Sequence, residues 1–215
     1  MTSTTAPAGD QRGAYFEQLY QQDADPWRVR ERWYEERKRA LLLACLPQRR
    51  YRNAYEPGCG NGELTLELAR RCERLLAADF SAEALLLAQQ RLADAGQAGN
   101  VAFERHKLPQ DWPRTTKGAE KFDLIVVSEI AYYLSADELA LLVEHSVASL
   151  APGGSIALCH WRAPFAQRIL STVRVHDAFQ HAPGLHCLLR HEETDFLLGV
   201  WSNDERSVAQ KEGFA

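Results

Sequence analysis

The chain lacks most of what a membrane-bound or disulfide-built protein needs. Its longest unbroken apolar run, positions 40–46, is seven residues, against the roughly 18 or more that a bilayer span requires. No basic patch followed by an apolar core opens the sequence, so no signal peptide is expected. Five cysteines (Cys45, Cys59, Cys72, Cys159, Cys187) form no C-x-x-C pair and cannot all pair off. That pattern suits reduced thiols in the cytoplasm, where each cysteine acts as a small hydrophobe. The histidines show no metal spacing either: His181, His186 and His191 lack the helical i, i+4 pairing or cysteine partners that zinc wants, and no metal is expected. Charge of one sign is also missing. Lys and Arg total 25 against 29 Asp and Glu, a formal net charge of −4, so no field gathers nucleic acid and none is expected as a partner.

What the sequence does have is ordinary globular composition, 46% hydrophobic and 25% charged over 215 residues, enough for one domain plus an extension. Positions 1–12 are polar and read as a disordered tail. Positions 13–47 are rich in aromatics and arginine, carry Asp25-Pro26-Trp27, and end in a helix over 33–46 stopped by Pro47. This segment reads as a helical lid. Its Arg28, Arg30, Arg32, Arg37, Lys38 and Arg39 interleave with Glu31, Glu35 and Glu36, the pattern of a solvated, paired face.

From 48 to 203 strands and helices alternate. Strands are expected at 53–56, 74–79, 101–105, 122–128 and 155–160, with a close pair at 185–190 and 196–201. Helices are expected at 62–71, 81–95, 135–150 and 168–180. Ser81 is an N-cap with Gly96 past the far end, Ser135-x-x-Glu138 is a capping box, and Pro152-Gly153-Gly154 is a turn. The fold class is α/β: a doubly wound, mostly parallel, seven-stranded sheet with an antiparallel edge hairpin and an N-terminal helical lid. Positions 204–215 read as a C-terminal tail. Ligands of such sheets sit at the carboxyl ends of the strands, which selects Glu56, Asp79, His106, Ser128 and His160.

The first strand runs into Glu56-Pro57-Gly58-Cys59-Gly60-Asn61-Gly62. Alternate glycines let the backbone turn sharply and let a ligand approach the main chain. A dinucleotide loop needs its third glycine one position later, where Glu63 stands, and no Gly-Lys-Ser/Thr follows to make a P-loop. Glu56 and Glu63 would set two negative charges against a phosphate, so the loop suits a nucleoside carrying positive charge. The second strand ends at Asp79, where a carboxylate accepts hydrogen bonds from ribose hydroxyls; the alternative is support of the helix that starts near Ser81.

These residues resemble motif I of the class I, Rossmann-like, S-adenosylmethionine-dependent methyltransferases. The run Phe122-Asp123-Leu124-Ile125-Val126-Val127-Ser128-Glu129 with Tyr132-Tyr133-Leu134 resembles motif IV of that superfamily. Together with Asp25-Pro26-Trp27 and Gly58-Cys59 it is similar to the nodulation protein S-like branch. The resemblance implies S-adenosyl-L-methionine as cofactor, held by Glu56, Gly58, Cys59, Gly60, Gly62, Asp79 and Ser128. Phe80 would pack on adenine, backbone groups of Lys107 and Leu108 would replace an absent aspartate after the third strand, and Trp33 and Tyr34 would cover the methionine end. An amine acceptor must be unprotonated to attack, so a base is expected at a strand end: Glu129 first, then His160 and Tyr132. For Glu129 the alternative is an ion pair with an arginine of the N-terminal segment; for His160 it is a hydrogen-bonded residue closing the sheet. Tyr133, Trp161, Arg162 and His176 are expected to line a small-molecule acceptor pocket, with Trp161 stacking on a sugar face. The branch points to N-methylation of an amino sugar or related amine. O-methylation of a hydroxylated natural product, a nicotinamide-dependent reductase and a non-catalytic adenosyl-binding module are the other readings.

Overall fold

In a computed structural model of the chain, residues 10–113 and 121–214 are described. In chain order the elements are α1 (Asp10–Gln22), α2 (Trp33–Cys45), β1 (Tyr51–Pro57), α3 (Glu63–Ala69), β2 (Cys72–Asp79), α4 (Ala82–Asp94), β3 (Val101–Arg105), β4 (Phe122–Ser128), α5 (Ala136–Ser149), β5 (Leu150–Trp161), α6 (Thr172–Gln180), β6 (His186–Glu192), β7 (Phe196–Ser202) and α7 (Val208–Lys211). The sheet has the order β3-β2-β1-β4-β5-β7-β6. Strands β1 to β5 run parallel, while β7 pairs antiparallel with both β5 and β6. The strand order reverses between β1 and β4, so their carboxyl ends open the crevice where doubly wound sheets take ligands.

The central strands β4 and β5 are buried on both faces along most of their length, as the apolar run of β4 requires. Successive side chains point to opposite sides. In β4, Ile125 and Val127 join one core cluster with Ile156, Leu158, Phe179 and Trp201, whereas Leu124 and Val126 join another with Ala54, Leu68, Ala157 and Leu198. Each such aliphatic side chain taken out of water contributes about 1.5–3 kcal/mol. The predicted N-caps form: Ser81 accepts from the Ala84 N–H, and Ser135 and Glu138 complete their reciprocal capping box.

Several boundaries differ from expectation. Helix α1 starts at Asp10, so the expected tail of 1–12 is helical in its last three residues, and positions 1–9 lie outside the described residues. Arg12 is held by an ion pair in which its Nη2 donates to both carboxylate oxygens of Glu138 of α5 at 3.0 Å. The Pro152-Gly153-Gly154 turn is a bulge within one strand, not a stop: β5 pairs Leu150 with Phe122 and resumes at Ser155 opposite Leu124, and Gly153 takes up the bend at φ +74°. Helix α6 begins at Thr172 behind a Ser171 cap, because Arg168 is spent on the carbonyls of Trp161, Arg162 and Ala163. The segment after 203 contains the short helix α7 with its own capping box. Among the described residues no helix is long and apolar enough to cross a membrane.

Candidate active site

A cavity of about 740 Å³ opens at the carboxyl ends of β1 to β5, roofed by α1, α2 and the turn between them. Glu56, Gly58, Cys59, Gly60, Asp79, Phe80, Lys107, Leu108, Ser128, Glu129, Tyr132, Tyr133, Trp161 and Tyr34 all line it. Its size is that of an ordinary small-ligand site.

At the β1 end the loop is built by its glycines. Gly58, Gly60 and Gly62 all have positive φ (+76°, +54° and +82°), a region in which a Cβ is strained. A Cβ on Gly58 would strike Ile130, and one on Gly60 would come within 2.6 Å of the Tyr20 hydroxyl. Gly62 serves another purpose: a Cβ there would lie 2.9 Å from the Ala88 backbone, so it lets α3 start against α4. It does not line the cavity, which corrects its assignment to the cofactor. Asp79 takes the helix-supporting role and also braces the loop. One oxygen accepts from the Ser81 N–H and the other from the Gly60 N–H, each at 2.9 Å. Burial raises its pKa, and these backbone donors work against the rise.

The carboxylate of Glu56 has no ion-pair partner among the described residues. It is 3% exposed, and its Oε2 is buried without a hydrogen-bond partner. Burial pushes its pKa up to about 8, with the Thr65 hydroxyl working against the rise and Asp79 adding to it. An orphaned carboxyl in a cavity wall is costly unless a ligand donor or cation meets it. Glu63, by contrast, is not an open charge facing the loop. Arg91 and Arg30 pair with it, and Arg39 approaches to 3.9 Å. The expectation of two free carboxylates at the loop is therefore reduced to one.

Beyond β2, Phe80 lies against α1, where a Cβ on Gly13 would collide with its ring, and Arg105 stacks on it at 5.2 Å. Beyond β3, the Lys107 N–H donates to Asp111 at 2.9 Å, so that amide is already committed. His106 bonds the Tyr55 hydroxyl at 3.0 Å and Glu104 at 2.9 Å.

The β4 end is crowded with polar contacts. Glu129 follows Ser128 with φ +59°, one of two non-glycine residues with positive φ among those described. Its Oε1 accepts from Lys38 Nζ at 2.6 Å, and its Oε2 accepts from the Tyr132 hydroxyl at 2.6 Å and the Trp161 N–H at 2.8 Å. Lys38 also pairs with Glu35 at 2.9 Å, and its ammonium lies 5.1 Å above the Tyr34 ring. The Tyr34 hydroxyl is buried with no partner. Lys38 is 5% exposed, not on a solvated face. Burial works to lower its pKa, but the carboxylates of Glu129 and Glu35 outweigh it and raise the pKa overall. The expected partner of Glu129 was an arginine; the observed one is this lysine. The signal was there: Lys38 stands four residues after Tyr34 and four before Leu42, on the inward stripe of α2.

His160 and His176 are moved out of the cavity. Cys159 and Trp161 line it, and His160 between them points through the sheet, as strand alternation demands. His160 is 0% exposed; its Nε2 accepts from the Ala131 N–H at 3.3 Å, and its Nδ1 lies 3.2 Å from His176 Nε2. Acceptance at Nε2 puts the proton on Nδ1, which donates to His176. Burial lowers the pKa values to about 3 for His160 and about 2 for His176, so both are neutral. Together they fix the turn Ala131–Tyr133. Arg162 also leaves the site, its guanidinium turned to the Glu193 carbonyl and the Glu192 carboxylate. Trp33 is 69% exposed and absent from the lining, since it sits about 100° around the helix from Tyr34.

Besides Lys38, other residues at or beside the cavity were not expected from the sequence. Arg12 and Tyr20 enter from α1, Asn61 ties Ala24 and Asp25 to the loop, and Arg168 stacks on Tyr132 and Phe165. Asp25 itself accepts from the Val29 and Arg30 N–H groups, which is why the Asp-Pro-Trp turn holds its shape. Among the described residues, no group of three or more His, Cys, Asp or Glu side chains is placed to hold a metal.

Residues 54–154 match the methyltransferase domain family. Over 146 residues, 67% of this chain, the sequence is 33% identical to nodulation protein S of Rhizobium tropici, and the match spans 58% of that protein's length. A crystal structure from Pseudomonas syringae, named only as a candidate methyltransferase, is 44% identical, with 80% of this chain and 99% of that one covered and a TM-score of 0.68. The N-methyltransferase NodS of Bradyrhizobium japonicum WM9, crystallised with S-adenosyl-L-homocysteine, is 27% identical, with 89% and 98% covered and a TM-score of 0.75. The strand order, the glycine loop and these likenesses agree: the chain belongs to the class I, Rossmann-like, S-adenosylmethionine-dependent methyltransferase family, and nodulation protein S is among the members it is similar to.

Proposed function

We propose that this chain transfers a methyl group from S-adenosylmethionine to the nitrogen of a small amine, an amino sugar or close relative. The observation that carries the reading is the Glu129 carboxylate, set in the cavity wall beyond β4 and aimed by Tyr132, Trp161 and Lys38. It is supported by the N-methyltransferase activity named for the B. japonicum relative.

The residues at the β1–β3 ends fit the cofactor. The partnerless Oε2 of Glu56 is where a ligand ammonium gains most, and a cation there replaces the proton that burial otherwise keeps on the carboxyl. Asp79 retains lone pairs for ribose hydroxyls beside the two backbone donors it already accepts. The bound sulfonium supplies an activated methyl group and a neutral thioether leaving group. The protein's task is alignment, which at its best lowers the barrier by about 7–11 kcal/mol.

At the other end the acceptor nitrogen must present its lone pair to the methyl carbon. Glu129 accepts one N–H of the amine and fixes where that lone pair points. Tyr132 holds the carboxylate, and Tyr133 and Trp161 form the apolar wall that excludes water. His160 acts through Ala131 as a positioning residue, and neither His176 nor Arg162 takes part.

The test is incubation of the protein with methyl-labelled S-adenosylmethionine and a panel of glucosamine, deacetylated chitin oligosaccharides and phenols. Mass spectrometry should find the label on nitrogen of an amino sugar. Label found only on oxygen overturns the reading in favour of O-methylation.

A further inference from the structure

Charge at the acceptor end raises a chemical problem. A bare carboxylate beside an amine stabilises the ammonium form, which has no lone pair and cannot attack. Glu129 is not bare. Lys38 Nζ, brought in by α2, sits 2.6 Å from its Oε1 in the cavity wall. The same ammonium is braced by Glu35 at 2.9 Å and by the Tyr34 ring. The groups facing it are Glu35 and Tyr34 on α2, Glu129 and Tyr132 beyond β4, and Cys159 on β5. Burial raises the pKa of the Tyr34, Tyr132 and Cys159 groups, so all three are neutral, and the charge balance rests on Lys38 and the two carboxylates, with Arg168, stacked on Tyr132, as the second cation near Glu129.

We infer that Lys38 is a positioning and specificity-determining residue for the transfer: it neutralises Glu129, so that this carboxylate orients the acceptor amine by a hydrogen bond without holding it as ammonium. The inference rests on the N-methylation reading above and adds to it the protonation state in which the substrate is bound. The amine sheds its proton to solvent on entering and keeps its lone pair. The new N–C bond then forms as the S–C bond breaks, with the electron pair of that bond left on sulfur and the positive charge passing from sulfur to nitrogen. A hydroxyl acceptor gains less from this arrangement, because it must lose its proton to attack and a Glu129 already engaged by Lys38, Tyr132 and Trp161 is a poorer base for that step.

The experiment measures the proton released when the deacetylated chitin disaccharide binds to the protein saturated with S-adenosylhomocysteine. It uses calorimetry in buffers of different ionisation enthalpy, below the pH at which the free amine titrates. The native protein should release about one proton per amine bound. Lys38→Met, of similar length but uncharged, should release close to none, and the acid limb of its kcat profile, which reports the bound amine, should move upward by about one pH unit. Lys38→Arg should restore both. Binding of S-adenosylhomocysteine and the thermal midpoint, measured on each variant, register a purely structural role, which would lower these without changing the proton count. Equal proton release by the native protein and Lys38→Met overturns the inference and leaves N-methylation standing. No binding of the amine by the native protein, with methylated phenols as products, removes the underlying reading and the inference with it.

Discussion

The two ends of the cavity treat carboxylates in opposite ways. Glu56, at the β1 end, has a buried oxygen with no partner and a pKa raised to about 8. Glu129, at the β4 end, has three partners, one of them a full positive charge. Under the N-methylation proposed above, the first end would meet the cation of the cofactor and the second would direct the acceptor, so that one fold would serve a charged cofactor and an uncharged nucleophile without mixing their electrostatics.

The contrast is broken most severely at Glu129. Glu129→Gln should lower kcat about 100-fold while affinity for S-adenosylhomocysteine, read by calorimetry, stays within a few-fold. Glu129→Ala should in addition cost about 3 kcal/mol of stability, because it leaves Lys38 buried with Glu35 alone. Asp79→Ala tests the other end: it removes the acceptor for the Gly60 and Ser81 amides and should weaken cofactor binding about 10–100-fold.

Glu56 sharpens the comparison through pH. Its folded pKa lies above its unfolded value, so its contribution to the ligand-free protein is complete below about pH 4.5 and is lost as pH rises through about 8. Stability from chemical denaturation should fall across that window in the ligand-free protein, and Glu56→Gln should flatten the fall. A cofactor ammonium offsets the same loss, so saturating S-adenosylhomocysteine should stabilise the native protein increasingly toward pH 8. A stabilisation independent of pH would show that Glu56 does not meet the ligand. At the small end, Trp33→Ala should change cofactor affinity and stability by no more than about 0.5 kcal/mol, since the ring is exposed and away from the cavity.

Much of this was legible in the sequence. The apolar run of β4, the alternate glycines and the carboxylates closing β1 and β2 each follow from a local rule, and the sheet placed them together as expected. The failures share a cause, which is orientation. His160 sits at a strand end, but the pleat sends it through the sheet, and Trp33 is one helical step from the face that matters. Lys38 was hidden among charges of both signs, and only its spacing from Tyr34 and Leu42 marked it as buried. The three arginines on Glu63 are contributed by α4 and the N-terminal segment, far apart in sequence, so no local pattern announced that this charge was already matched.

The left-handed backbone of Glu129 has its own consequence for how this position tolerates change. Because the main chain, rather than a choice of rotamer, delivers the carboxylate, replacements should sort first by how readily they adopt that geometry and only then by charge. In a saturation library Asn and Asp should leave the protein folded more often than Val or Ile, even though every one of them forfeits the native reach.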